Sequence, residues 1–316
     1  MQRKIIKLGH ATFVASLPSK WTKKFNLQAG DSLDVAERAN ELIFSTMKHV
    51  EGQRKTLDIT HLDSNLVKRA LVSSYTAGYD EVFITFEKSE IQRIKEKSSV
   101  SVIEFVQNVV AKQLIGFEIL EQKSISLLLK DLGSVSEDDF SVLLRRVFLL
   151  LNTMGTELLE SVTTFDKKKA EQTSYANDTI ARFVNYCVRI LNKKGHVDFQ
   201  KLPVYYYIIM KLREISYTYK FISSEFQLRK HPVQKEVLET FSLLVSSVQK
   251  FYELYYKYDN GQALAFLQLT RTYYTKVNAL QYHQKTPVED VLLISRLSVV
   301  NVALLDLTEA LFSLQL

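Results

Sequence analysis

The chain has 316 residues, 46% apolar and 24% charged, with nine Gly and four Pro; that balance excludes a disordered chain and leaves room for two or three domains. A formal net charge of +6 and a pI near 9.1 favour anionic partners without separating nucleic acid from a membrane surface. Cys187 is the only cysteine, which excludes an internal disulfide and points to a reducing, cytoplasmic setting.

The opening MQRKIIKLGHATFVAS joins a basic start to a few apolar residues, but Lys7 and His10 interrupt the apolar core that an export signal needs. No stretch approaches the roughly 18 uninterrupted apolar residues of a membrane-spanning helix, so no membrane insertion is expected. Residues 1 to 48 instead alternate in strand fashion. Ile5, Phe13 and Ala15 fall on period-two positions, Gly9-His10 supplies a turn, and Leu33, Val35, Leu42 and Phe44 repeat the pattern around Arg38-Ala39-Asn40. Between these strands, Leu17-Pro18 starts a short helix, SKWTKKF, that Asn26 ends in a left-handed conformation, and Gly30-Asp31 turns the chain onward. So short a piece buries too little surface to stand alone and is expected to dimerise.

Arg3, Lys4, Lys7, Lys20, Lys23 and Lys24 all precede the first acid, Asp31. Such a cluster is either an ordinary solvated face or a set of phosphate contacts, with the planar fork of Arg3 suited to base edges. Residues 3–45 resemble the AbrB/SpoVT swapped-hairpin family of DNA-binding domains, on Leu8-Gly9, Leu17-Pro18 and Gly30-Asp31 in order and spacing. Asn26 replaces the glycine often found after that family's helix. The resemblance implies a barrel of two interlocked hairpins, double-stranded DNA as partner, and Arg3, Lys4, Lys7, His10, Lys20, Lys23 and Lys24 as the DNA-binding residues.

Residues 54–132 are expected to form a small α/β connector: strands at TLDI and EVFITF, a helix capped by Asp63 or Ser64 and stopped at Gly78, a second helix over VSVIEFVQNVVAKQLIG, and a hairpin over FEILEQKSISLLLK. No phosphate-cradling glycine loop follows any of these strands. From 134 to 316 the pattern is helical. Serine caps and three acids open the first helix; later breaks are expected at Asp166–Lys169, Lys193–His196, His231-Pro232, Asp259-Asn260-Gly261 and TPVED. In the last, Thr286 and Glu289 read as a capping box with Pro287 at the first helical position. Six helices of about 25 residues suggest two three-helix bundles. Cys187, in the apolar run FVNYCVRIL, reads as core.

The order of these segments, with YTAGYDEVFI, QLIGFEILEQ, LLRRVFLLLNTM and ARFVNYCVRILNK, resembles archaeal PhoU-type phosphate uptake regulators. Many members hold metal clusters through an acid-x-x-x-Asp motif and an Arg-x-Gly-Asp-His phrase in each of two repeats. Here Asn177 and Ala181 stand near the first motif, Tyr217 and Thr218 replace Asp-His, and Val299 and Val300 do so in the second repeat. Apolar side chains cannot ligate a hard cation, so no metal and no cofactor are expected.

His10, His49, His61, His196, His231 and His283 show no metal-ligand spacing, and no serine sits in a nucleophile-elbow phrase; no catalytic residue is assigned and no enzyme is expected. Tyrosine runs at 205–207, 255–256 and 273–274 can stack on bases, but consecutive helical residues point to different sides, so packing is the favoured reading. The expected protein is therefore mostly α within an α+β class: a swapped-hairpin β-barrel domain (1–48), an α/β connector (54–132) and a PhoU-like pair of three-helix bundles (134–316). By resemblance it is a cytoplasmic homodimer or higher homo-oligomer that binds DNA and regulates phosphate uptake. The alternative is an interaction protein that docks its bundles on a phosphate transport ATPase or a sensor kinase without binding DNA.

Overall fold

The computed structural model describes residues 2–38, 41–46, 53–94, 96–133, 138–194, 199–281 and 286–315. The protein is mostly helical with several small sheets. It divides into two compact units, Met1–Arg54 and Lys55–Leu316.

In the first unit, β1 (Ile6–Leu8) and β2 (Thr12–Val14) form an antiparallel hairpin with Ile6 opposite Val14, Lys7 opposite Phe13 and Leu8 opposite Thr12. The turn between them uses Gly9 at φ +72, a backbone angle that favours glycine. Helix α1 (Ser19–Lys24) starts where the Pro18 carbonyl accepts from the Trp21 and Thr22 amides at 2.9 and 3.0 Å. It ends as expected on Asn26, at φ 47. The Leu27 amide donates to Thr22 O at 2.9 Å and the Asn26 amide to Lys23 O at 3.2 Å, the paired bonds of a Schellman end. The Gln28 amide then donates to the Asp31 carboxylate at 2.6 Å, closing the Gly30-Asp31 turn. Strands β3 (Asp34–Arg38) and β4 (Glu41–Ser45) pair antiparallel with Val35 opposite Phe44; the Ala39-Asn40 turn lies outside the described residues.

The two hairpins are separate two-stranded sheets, and among the described residues one copy contains no closed barrel. Among the residues before 47 whose side chains are described, none is buried. Ile5, Ile6, Leu8, Phe13, Val35 and Leu42 are each more than half exposed. Among the described residues a single copy of this unit has strands, turns and a helix, but no core.

From the boundary residue Arg54 onward come β5 (Arg54–Asp58), α2 (Ser64–Thr76), β6 (Glu81–Thr85), β7 (Glu90–Arg93), β8 (Ser98–Ser101), α3 (Val102–Gln113), β9 (Phe117–Lys123) and β10 (Ser126–Asp131). One sheet runs in the order β5-β6-β10-β9, with β10 antiparallel to both β6 and β9. Asp63 caps α2, its carboxylate accepting from the Leu66 amide at 2.9 Å, and Gly78 at φ +95 ends it. Val67, Leu71 and Tyr75, four apart, form the buried face of α2 and meet Val106 and Val110 of α3 and the inward Val82 and Ile84 of β6 in one core. The β7–β8 hairpin has no counterpart in the expected elements, because its strands are polar apart from Ile91 and Val100. It also delays α3, which begins at Val102 and not at the expected Val100; the Val102 amide is held by Ser89 O at 2.9 Å.

Among the described residues seven α-helices follow: α4 (Asp138–Thr163), α5 (Lys167–Thr173), α6 (Tyr175–Lys194), α7 (Leu202–Phe226), α8 (Lys235–Tyr256), α9 (Asn260–Gln281) and α10 (Val288–Gln315). The expected serine caps before α4 fall outside the described residues. The short α5 is an addition at the first expected break: Phe165 takes φ 56, and Asp166 caps a new helix through the Lys169 amide at 2.9 Å. The capping box at the last helix is corrected, since the Thr286 hydroxyl turns back to Leu280 O at 2.8 Å, while the Asp290 and Val291 amides donate to Pro287 O. Helices α4, α6 and α7 pack mutually, as do α8, α9 and α10, with α4–α8 and α7–α10 joining the two sets. The connector docks on α6 through both α2 and α3. Helix α10 is long and apolar enough to cross a membrane by length and composition, but half of its most apolar stretch is buried inside the protein. Cys187 is fully buried, as the sequence implied.

Candidate nucleic-acid interface

All seven residues assigned to DNA lie in the first unit, and all are exposed. Arg3 and Lys4 precede β1, Lys7 sits at its centre opposite Phe13, and His10 occupies the turn after Gly9. Lys20, Lys23 and Lys24 are spaced i, i+3 and i+4 on α1, which places them along one face. The other side of α1 carries Trp21 and Phe25, half-buried against each other with ring centroids 5.4 Å apart. Lys23 and Lys24 also lie in the last turn, where positive charge is favoured by the helix dipole.

The structure thus brings three of the seven together on one helix, two on the β1–β2 hairpin, and leaves Arg3 and Lys4 on the segment that leads into it. In one copy α1 packs extensively against neither hairpin. Lysine ammonium groups on a single helical face can make separate contacts to phosphate oxygens, and those contacts carry no base information.

Around Asn177, where the PhoU resemblance would place a first metal ligand, the neighbouring side chains bond to one another. The Ser216 hydroxyl donates to the Asn177 side-chain oxygen at 3.0 Å, and Asp178 pairs with Lys220 at 3.2 Å. Val300 is fully buried in the helical core. Among the described residues no three of His, Cys, Asp or Glu gather as a metal site. The tyrosine runs divide as helical geometry requires: Tyr273 is buried and Tyr274 exposed, while Tyr205 packs on Phe140 and Tyr206 and Tyr207 face outward.

The sequence by itself assigns no functional residue to the connector. Yet Lys68, Arg93, Lys112 and Lys220, from α2, β7, α3 and α7, line one cavity. Scattered between positions 68 and 220, they form no linear motif.

No family model, curated protein or solved structure matches the chain.

Proposed function

We propose that this protein is a DNA-binding transcriptional regulator of phosphate uptake and phosphate homeostasis, acting as a cytoplasmic homodimer. Two copies of the first unit interlock their hairpins into a barrel, the α/β connector follows, and two PhoU-like three-helix bundles, α4-α6-α7 and α8-α9-α10, sense or assemble. The observation that carries this reading is the coreless first unit with its row of lysines on α1. Each apolar side chain contributes roughly 1.5–3 kcal/mol when fully buried. Ile5, Ile6, Leu8, Phe13, Val14, Val35, Leu42 and Phe44 are all exposed in one copy. Covering them by a second copy offsets an association cost on the order of 4–15 kcal/mol. A signal that binds the helical part acts on DNA only if it binds two states of the protein with different affinity.

The reading is tested by fluorescence anisotropy on double-stranded DNA across a salt series. Changing Lys20, Lys23 and Lys24 to Gln weakens binding and flattens the log–log salt slope by about 0.9 for each phosphate no longer neutralised. Unchanged affinity and slope would refute it.

Exposed apolar side chains favour the second reading, an interaction protein that docks on a phosphate transport ATPase or a sensor kinase. Tyr217 of α7 and Val288, Leu292 and Val302 of α10 are each more than half exposed. In that case the first unit only dimerises, and the three lysine changes leave DNA affinity where it was.

A further inference from the structure

We propose that the cleft between the connector and helices α6 and α7 binds a phosphate-class oxyanion, either free or esterified to a small molecule, through Lys68, Arg93, Lys112 and Lys220. The cavity has a volume of about 340 Å³, roughly ten times the ~30 Å³ that a water takes in the liquid, so it admits more than a bare ion. Its wall is mixed. Phe105 and Val109 of α3 supply apolar surface, and the four cations come from four different elements.

The charges in the cleft are unbalanced. Asp178 is the one carboxylate lining it among the described residues, and its closest partner is Lys220, at 3.2 Å. Among the described residues the side chains of Lys68, Arg93 and Lys112 make neither a hydrogen bond nor an ion pair. Partial desolvation pushes the Lys68 ammonium below the usual lysine range; Asp178 opposes this, and the nearby cations Lys220, Arg213 and Lys112 add to it. Gathering like charges raises the energy of the empty cleft, and an anion lowers it. A phosphoryl group suits the arrangement better than a monocarboxylate, because it carries up to two charges and three acceptor oxygens for separate donors. Arg93 can meet two of those oxygens with its fork, while lysines act as point charges.

The cleft is also held in shape. Behind it the Asn185 amide donates to Gln113 O and Oε1, both at 3.3 Å, and Arg213 donates to Asn185 Oδ1 at 3.2 Å. Asn185 and Gln113 are buried, so this chain of bonds ties α3, α6 and α7 together beneath the cavity. A ligand spanning Lys112 and Lys220 would touch connector and helices at once. The cleft lies outside the first unit, and its ligand is measurable without DNA.

The test is isothermal titration calorimetry on the full chain with inorganic phosphate and, separately, adenosine diphosphate, each against sodium chloride of matched ionic strength. Variants are Lys68→Glu, Lys112→Glu and the milder Lys112→Ala, with the exposed Lys257→Glu as control. Binding of at least one probe above the chloride background is expected, weakened at least tenfold by either charge reversal and less by Lys112→Ala, with Lys257→Glu unchanged. Saturation by phosphate itself identifies the free ion; binding of the diphosphate only identifies an organic phosphate. The proposal is overturned if neither probe exceeds chloride, or if Lys257→Glu weakens binding as much as the cleft variants. Circular dichroism melts confirm that each variant is folded, and Lys112→Ala, which adds no charge, carries the test if a reversal unfolds the chain.

Discussion

Arg189 of α6 donates to Asp131 at the end of β10 at 2.6 Å and to the Tyr75 carbonyl of α2 at 2.6 Å, with its guanidinium wholly buried. The rings of Tyr75 and Phe117 flank it at 4.8 and 5.0 Å. Along the same face of α6, Asn192 donates to Thr76 O at 2.7 Å and Lys193 pairs with Asp80. This row of donors fastens the connector to the helices.

Breaking a buried pair costs roughly 3–5 kcal/mol, and because Lys193 Nζ stays 3.4 Å from the Asp131 carboxylate the loss here should fall at the lower end of that range. Arg189→Ala is therefore expected to lower the stability read from urea denaturation by that amount. Arg189→Lys should recover little, because a single ammonium cannot reach carboxylate and carbonyl together while stacking between two rings. A loss below about 1 kcal/mol for Arg189→Ala, the size of an exposed pair, would show that the connector is held by other interactions.

Gly155 of α4 lies against Tyr219 of α7: a Cβ at this glycine would meet the Tyr219 hydroxyl oxygen at 2.9 Å and its ring at 3.1 Å. Tyr219 is fully buried, and among the described residues its hydroxyl has no hydrogen-bond partner. Gly→Ala in a helix gains about 1 kcal/mol of propensity, and overpacking costs typically about 1–3 kcal/mol. Gly155→Ala should be neutral to destabilising, Tyr219→Phe tolerated, and the double variant more stable than Gly155→Ala alone. Chemical denaturation of all four forms reads this coupling; strict additivity would mean that the two residues do not interact energetically.

Burial pushes the Cys187 thiol up to about 12 from its ordinary value near 9. The folded chain keeps a proton that the unfolded chain releases above that ordinary value. Its stabilising contribution is full below about pH 9 and is lost as pH rises, by up to about 1.4 kcal/mol per pH unit. Tyr75, Tyr219, Tyr255 and Tyr273 are raised by burial in the same sense and add to the loss above about pH 10. Stability measured between about pH 8.5 and 10 should fall more steeply for the wild type than for Cys187→Ala. Parallel curves would show that the thiol does not titrate differently on unfolding.

Val35 and Phe44 stand opposite each other across β3 and β4, 56% and 42% exposed. If a second copy covers them, Val35→Asp shifts the protein toward monomer in sedimentation velocity at micromolar concentration. It should also diminish any DNA binding, by separating the two sets of lysines. A monomeric wild type would sink the interlocked-hairpin proposal.

Much of the fold is legible wherever the determining signal is local. Asn26 in the left-handed region, Asp63 at the start of α2, Gly78 at its end, and the hydrophobic spacing of Val67, Leu71 and Tyr75 can all be read within a few residues of chain, because caps, turns and amphipathic faces are short-range physics. The seven candidate DNA contacts are legible only as a basic cluster; placing Lys20, Lys23 and Lys24 on one face needs just the helical period. The polar β7–β8 hairpin and the hydrogen bond of Thr286 are not legible, since the first carries little hydrophobic alternation and the second finds its acceptor six residues back at Leu280.

The sequence by itself determined the helix-rich composition, the order of the long helices and a first unit too small to bury a core. Only the tertiary structure decided that Arg189 meets Asp131 and that Lys68, Arg93, Lys112 and Lys220 converge on one cavity. Those partners lie far apart along the chain, and which of many equivalent lysines and arginines meet is set by the packing of α2, α3, α6 and α7, not by any spacing in the sequence.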